Sequence, residues 1–319
     1  MNFFLIVFSL FISSLTFAQE KDSFVVSKDG KGDFLTIQEA INNTKAFPYQ
    51  RMTIFIKNGI YKEKIKLHEW NSHLSLIGEN RDSTIITFDD YFDKMGLGRN
   101  NTFFTPTFLV EANDVVLKNL TIENSAGDIG QAIALSINAN RVGILHCKIL
   151  GNQDTLYLTG EGKHYFKDCF IEGTTDFIFG SATAFFENCE IVSKKDSYIT
   201  AASTPENTKF GFVFNDCKFI STKGVSKVYL GRPWRIYAKT VILNSNLGNH
   251  ILPEGWSNWD KKEAETKSFF AEFNNSGAGS NSKLRVKWSY QLTTKEASQY
   301  QKPIVLKDQF HQNWFELKN

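Results

Sequence analysis

Net charge is almost absent from this chain. Its 319 residues carry 36 Lys and Arg against 34 Asp and Glu, a balance of +2. No basic run is long enough to track phosphates, so nucleic acid is not an expected partner. Metal-ligand spacing is missing among the six histidines, His68, His73, His146, His164, His250 and His311. Phosphate loops, zinc motifs and a Ser-His-Asp order are missing as well, so no metal or cofactor is expected. Hairpin signals are scarce, with Asn-Gly only at Asn58-Gly59, which argues against a β-sandwich or propeller. Low-complexity sequence is lacking too. At 42% hydrophobic and 22% charged residues, the chain reads as globular and long enough to bury a large core.

Long apolar runs are confined to one place. "MNFFLIVFSLFISSLTFAQE" opens with an apolar stretch from Phe3 to Ile12 and continues through Thr16-Phe17-Ala18 to Gln19. This is an h-region followed by a small-x-small cleavage site, too short for a spanning helix. The expectation is a signal peptide over residues 1–18, removed after Ala18, and one domain over 19–319. The protein would be exported, to a periplasm or out of the cell, with no membrane attachment after cleavage.

Four cysteines are present, Cys147, Cys169, Cys189 and Cys217, at intervals of 22, 20 and 28 residues and in similar surroundings ("LHCKIL", "KDCFIE", "ENCEIV", "NDCKFI"). Each takes the same place in a repeating unit, and a small apolar side chain suits an inward-facing stack. Free buried thiols are expected, although stacked positions are close enough for a bridge. The repeat is wider than the cysteines. "VVLKNLTIENS", "VGILHCKILGN", "HYFKDCFIEGT", "AFFENCEIVSK", "GFVFNDCKFIS" and "TVILNSNLGNH" each pass from apolar residues through a polar pair into a short alternating strand. Short strands recurring every 20 to 30 residues with no helical period between them predict a parallel β-solenoid. "GDFLTIQEAIN" predicts a short helix after Thr36 that caps the open N-terminal end. "LTTKEASQYQK" predicts a second short helix, and residues 88–106 and the tail after Asn274 read as loops or lateral packing.

"GNQDTLYL" (151–158) and "GTTDFIFG" (173–180) are variations on one theme, with Asp154 and Asp176 separated by 22 residues. On a solenoid with coils of that length the two carboxyls lie about 5 Å apart on neighbouring strands. The same step joins Gln131, in "GQAIALSI", to Gln153. Two carboxyls this close do not ionise together easily, so one acts as acid while the other stays charged. Primary amides beside them suit an oxyanion.

These segments, with "YLGRPWR" (229–235) downstream and "NLTIENSAG" (119–127) upstream, resemble the pectin methylesterases, aspartyl esterases of the right-handed parallel β-helix class. The likeness runs from "DGKGDFLTIQEAI" (29–41) to "RVKW" (285–288). It implies that Asp176 is the nucleophile toward the C6 ester of methylated galacturonate and Asp154 the acid, later the base. It implies oxyanion stabilisation by Gln153, with Gln131 as the second amide, and an Arg232 that binds Asp176. Trp234 would stack on a sugar ring and Thr102 would touch substrate; Tyr157, Phe179 and Trp256 are expected as walls of the groove. The implied partner of this monomer is methylated polygalacturonan or its oligosaccharides. Two other readings stay open: a β-helix polysaccharide lyase, which needs acids clustered around Ca²⁺ and a basic proton acceptor, and a non-catalytic carbohydrate-binding solenoid.

Overall fold

The computed structural model describes residues 21–311 and 313–316; the expected signal peptide lies outside the described residues. Within them the chain winds as a parallel β-helix with three sheets of eleven, seven and eight strands. A coil is typified by Val142–Leu145, Lys148–Leu150 and Leu156–Leu158, one strand in each sheet, after which Lys163–Lys167 starts the next coil directly above Val142–Leu145. All the strand pairings are parallel and link one coil to the next, which satisfies the backbone without hairpins.

The alternating strands bury one face, and like residues stack on like. Ile144, Phe166, Phe186, Phe214 and Ile242 are partners in register through five coils of the eleven-stranded sheet. Within that column the rings of Phe166, Phe186 and Phe214 lie parallel at 4.7 and 4.4 Å. Ile122, Ile149, Ile171, Ile191, Phe219 and Leu247 form the matching column of the eight-stranded sheet. These side chains all belong to one continuous buried core, which the short strands create only by stacking.

The polar pairs of the repeat are the sharp corners between these two sheets. Asn119, His146, Asp168, Asn188, Asp216, Asn244 and Asn274 all have φ between 50 and 55°, a left-handed conformation that Asn and Asp tolerate best among residues with a side chain. The next residue of each corner turns inward, and four of these are the cysteines. All four are free and buried, with Cys147, Cys169, Cys189 and Cys217 each bonded through sulfur to carbonyls of their own and the preceding coil.

Helix Ile37–Asn42 starts at Thr36, whose hydroxyl accepts from Glu39 N at 3.3 Å, and buries Ile37, Ala40 and Ile41 against the first strands. The tail after Asn274 packs laterally on the solenoid, and the second short helix expected in "LTTKEASQYQK" is present. That helix is Thr294–Ala297, with a complete capping box between Thr293 and Glu296, and another lies at Lys302–Val305. Val305, Leu306 and Phe315 pack on the outward side chains of the eleven-stranded sheet, among them Tyr165, Val213 and Val241. Lys302 donates to Glu187 at 2.8 Å and to the Tyr165 hydroxyl at 3.1 Å, pinning this strap in place. The segment 88–106 likewise holds a helical turn, Phe92–Met95, and a 3₁₀ turn, Asn101–Phe104.

Candidate active site

The outer face of the seven-stranded sheet is not covered by the strap. Residues Ser136, Tyr157, Phe179, Ala201 and Arg232 are successive partners in register along it, while their neighbours Leu156, Ile178 and Thr200 point into the core. Side-chain alternation thus sends a row of aromatic, small and cationic residues outward on five consecutive coils.

The two aspartates stand just ahead of the strands that carry this row. Asp154 N donates to Thr175 O at 3.0 Å, which sets Asp154 beside Asp176 on the next coil. Both have left-handed backbones, at φ 63 and 49°, an uncommon conformation for residues other than glycine. Gln131 reaches its place through a local irregularity. Leu135 and Leu156 are partners, an offset of 21, but Ala134 N and Leu135 N both donate to Thr155 O, and Ala132 N donates to Gln153 O. The extra residue sets Gln131 beside Gln153, the offset of 22 that the aspartates have.

An open cleft of about 240 Å³ joins Thr102, Gln131, Gln153, Asp154, Asp176, Phe179, Arg232 and Trp234. Arg232 grips Asp176 as a fork, with Nε 2.9 Å from Oδ1 and Nη2 2.6 Å from Oδ2. Burial pushes the Asp176 carboxyl above the ordinary carboxylate value, and the Arg232 hydrogen bonds and charge pull it back. Asp154 is held well above that value by burial and then by the nearby charge of Asp176, with the Arg232 charge opposing both. Only Asp176 is bonded to the cation, so Asp154 keeps its proton to higher pH than its neighbour does.

Tyr157 stands next to the cleft with its ring stacked on Phe179 at 4.7 Å. Trp256, expected as a groove wall, is not there. It is 1% exposed, stacked on Phe270 at 4.7 Å and bonded through Nε1 to Glu272. Three residues on, Trp259 lines the cleft instead, with the Arg232 guanidinium 3.6 Å from its ring centroid. Phe103 and Ala201 complete the lining; neither was singled out by sequence, since Phe103 lies in an irregular segment and Ala201 carries no chemistry. The two tryptophans of "GWSNWD" are alike in composition and surroundings, and only the left-handed turn at Trp259 and Asp260, φ 53° for both, sends the second ring outward.

A parallel β-helix whose exposed sheet presents two aspartates from successive coils, one clamped by arginine, defines the class of protein. Residues 23–309 match the family model for pectinesterase, and the chain belongs to that family. It is 37% identical over 297 residues to the probable pectinesterase/pectinesterase inhibitor 23 of Arabidopsis thaliana, covering 88% of this chain. The chain spans about half the length of that relative, 51% of it. Among solved structures, the pectin methylesterase from carrot superposes with a TM-score of 0.81 at 31% identity, covering 86% of this chain and 89% of the carrot one. A pectin methylesterase solved in complex with a hexasaccharide superposes with a TM-score of 0.76 at 30% identity, covering 91% and 98% of the two chains.

Proposed function

We propose that this chain hydrolyses the C6 methyl ester of galacturonate residues in pectin or its oligosaccharides, releasing methanol and leaving the free acid. The carrying observation is the pairing of a buried, arginine-clamped Asp176 with an Asp154 that lacks a bonded cation. The Asp176 carboxylate attacks the ester carbonyl, and the negative charge that develops on its oxygen faces the amides of Gln153 and Gln131. Asp154 gives its proton to the departing methoxide, leaving an anhydride between Asp176 and the sugar acid. The Asp154 carboxylate then takes a proton from water, and the resulting hydroxide opens the anhydride and restores Asp176. Arg232 holds Asp176 in line and keeps it ionised beside an acid. Phe179, Tyr157 and Trp234 offer apolar surface to sugar rings. The bound hexasaccharide of the similar pectin methylesterase supports a substrate in chain form. The N-terminal apolar segment supports export, and no described helix is long and apolar enough to cross a membrane.

The test is methanol release from methylated pectin. Asp176→Asn is expected to retain less than about 1% of the wild-type rate, because loss of a nucleophile costs several orders of magnitude, with an unchanged melting curve. A higher residual rate, free of deamidation back to Asp, removes Asp176 from the role. An unsaturated product absorbing in the ultraviolet would signal a lyase, and no product at all a binding protein.

A further inference from the structure

Arg232 makes more than the fork on Asp176. Its guanidinium lies between two rings, Cζ being 4.0 Å from the centroid of Tyr198 and 3.6 Å from that of Trp259. Each outer side of this sandwich is backed in turn. Behind Tyr198 stands Tyr229, its partner in register, with the rings stacked at 5.3 Å and 12°. Behind Trp259 stands Lys261, with Nζ 4.1 Å from the ring centroid and bonded to Pro233 O at 2.7 Å and Trp234 O at 3.2 Å. The column therefore reads Tyr229, Tyr198, Arg232, Trp259, Lys261. It is anchored to the sheet at one end and to the backbone just past Arg232 at the other.

Tyr198 also touches the other half of the ion pair. Its carbonyl accepts from Asp176 N at 2.8 Å, holding the left-handed residue from the next coil. One residue thus supports the carboxylate through its backbone and the guanidinium through its ring. A planar guanidinium stacks on aromatic faces and keeps its edge free for a carboxylate. Held against two aromatic rings, the guanidinium keeps its Nε and Nη2 edge on Asp176 Oδ1 and Oδ2.

We infer that Tyr198 is a positioning residue for the reaction, its ring fixing the plane of Arg232 and so the attack direction of Asp176, with Trp259 and Lys261 closing the sandwich from the opposite side. The kinetic consequence rests on the ester-hydrolysis reading; the spectroscopic one does not. Substitution at Tyr198 leaves the carbonyl that holds Asp176 N untouched, so the ring is tested separately from the backbone.

Three variants decide it: Tyr198→Phe, which keeps the aromatic face, Tyr198→Leu, which keeps apolar volume, and Tyr198→Ala. On methylated pectin, Tyr198→Ala and Tyr198→Leu are expected to lower kcat ~10- to ~100-fold, the scale of a misplaced reacting group. KM stays within about threefold of the wild-type value, because binding of the sugar chain is not the function removed. Tyr198→Phe restores kcat to within about threefold of wild type. By NMR, the Arg232 Nε–H signal in the full chain without substrate should lie upfield in wild type and Tyr198→Phe, and lose part of that displacement in the other two. An unmoved signal in Tyr198→Ala, a Leu variant as fast as Phe, or equal losses in all three overturns the proposal. Should the wild-type chain release no methanol, the functional reading fails and the NMR series alone passes judgement on the sandwich.

Discussion

Trp256 and Trp259 sit three residues apart and have opposite fates, which makes them a test of what single residues contribute. Trp256 is core: its ring stacks on Phe270, and its Nε1 donates at 3.3 Å to Glu272, which is itself buried and bonded to Arg285. Trp256→Phe leaves space behind and strips one donor from a buried carboxylate, costing about 1–3 kcal/mol of stability. Trp259 is half-buried and spends its face on Arg232. Trp259→Ala should lower kcat/KM ~10- to ~100-fold, as expected for a displaced positioning group, while leaving the melting temperature nearly unchanged. Activity and thermal melts of both variants should therefore show a crossed pattern, and a fall of activity in Trp256→Phe with normal stability would contradict the assignment. The aspartates and the glutamines were legible because their 22-residue intervals match one coil, and Arg232 only through the family resemblance carried by "YLGRPWR". Trp259 was not, because inward and outward tryptophans look the same until the left-handed turn at Trp259 and Asp260 is known.

Among elements, the strand Lys163–Lys167 turns a titratable side chain into the interior. His164 points inward and is fully buried, with Nε2 2.9 Å from Ala139 O and Nδ1 without a partner. Gly162 makes that approach possible, since a Cβ there would stand 2.8 Å from His164 Nε2. Burial outweighs the Ala139 hydrogen bond and lowers the His164 pKa from 6.5 to about 4. The unfolded chain then binds this proton below about pH 6.5, whereas the folded chain binds it only below about 4. Stability from this group is therefore complete above pH 6.5 and lost progressively as pH falls to about 4, a loss on the order of 3 kcal/mol. Urea melts at several pH values should fall more steeply across that window in wild type than in His164→Gln, and parallel slopes would show that His164 titrates normally. The solenoid period was readable from the repeats because each coil must restack the same inward positions. The irregularity at Ala134 and Leu135 was not, since it changes hydrogen-bond partners without leaving any mark in composition. Of the tail's helical turns, Thr294–Ala297 was legible in "LTTKEASQYQK", whereas Lys302–Val305 was not, because four residues show no full period of apolar spacing and its place is set by packing on the sheet.

At the scale of the whole molecule, the solenoid divides its work between faces. The seven-stranded sheet presents the cleft, whereas the eleven-stranded sheet is covered by the C-terminal strap through Val305, Leu306 and Phe315. A parallel β-helix transmits little between faces, because each coil is held mainly by the coils above and below it. Stability and chemistry should then be separable by a cut in the strap. Leu306, fully buried against the outer side of the sheet, is the residue to cut. Leu306→Ala removes apolar contact and leaves a cavity at a cost of about 2–5 kcal/mol, enough to lower the melting temperature by several degrees in a chain of this size. The Lys302 bonds to Glu187 and Tyr165 remain to hold the rest of the strap, so the variant should still fold. Methanol release at 25 °C should keep both kcat and KM within about twofold of wild type, since no residue of the cleft touches the strap. Loss of kcat in well-folded Leu306→Ala protein would show that the strap governs the geometry of the opposite sheet, and the two faces would have to be treated as one mechanical unit.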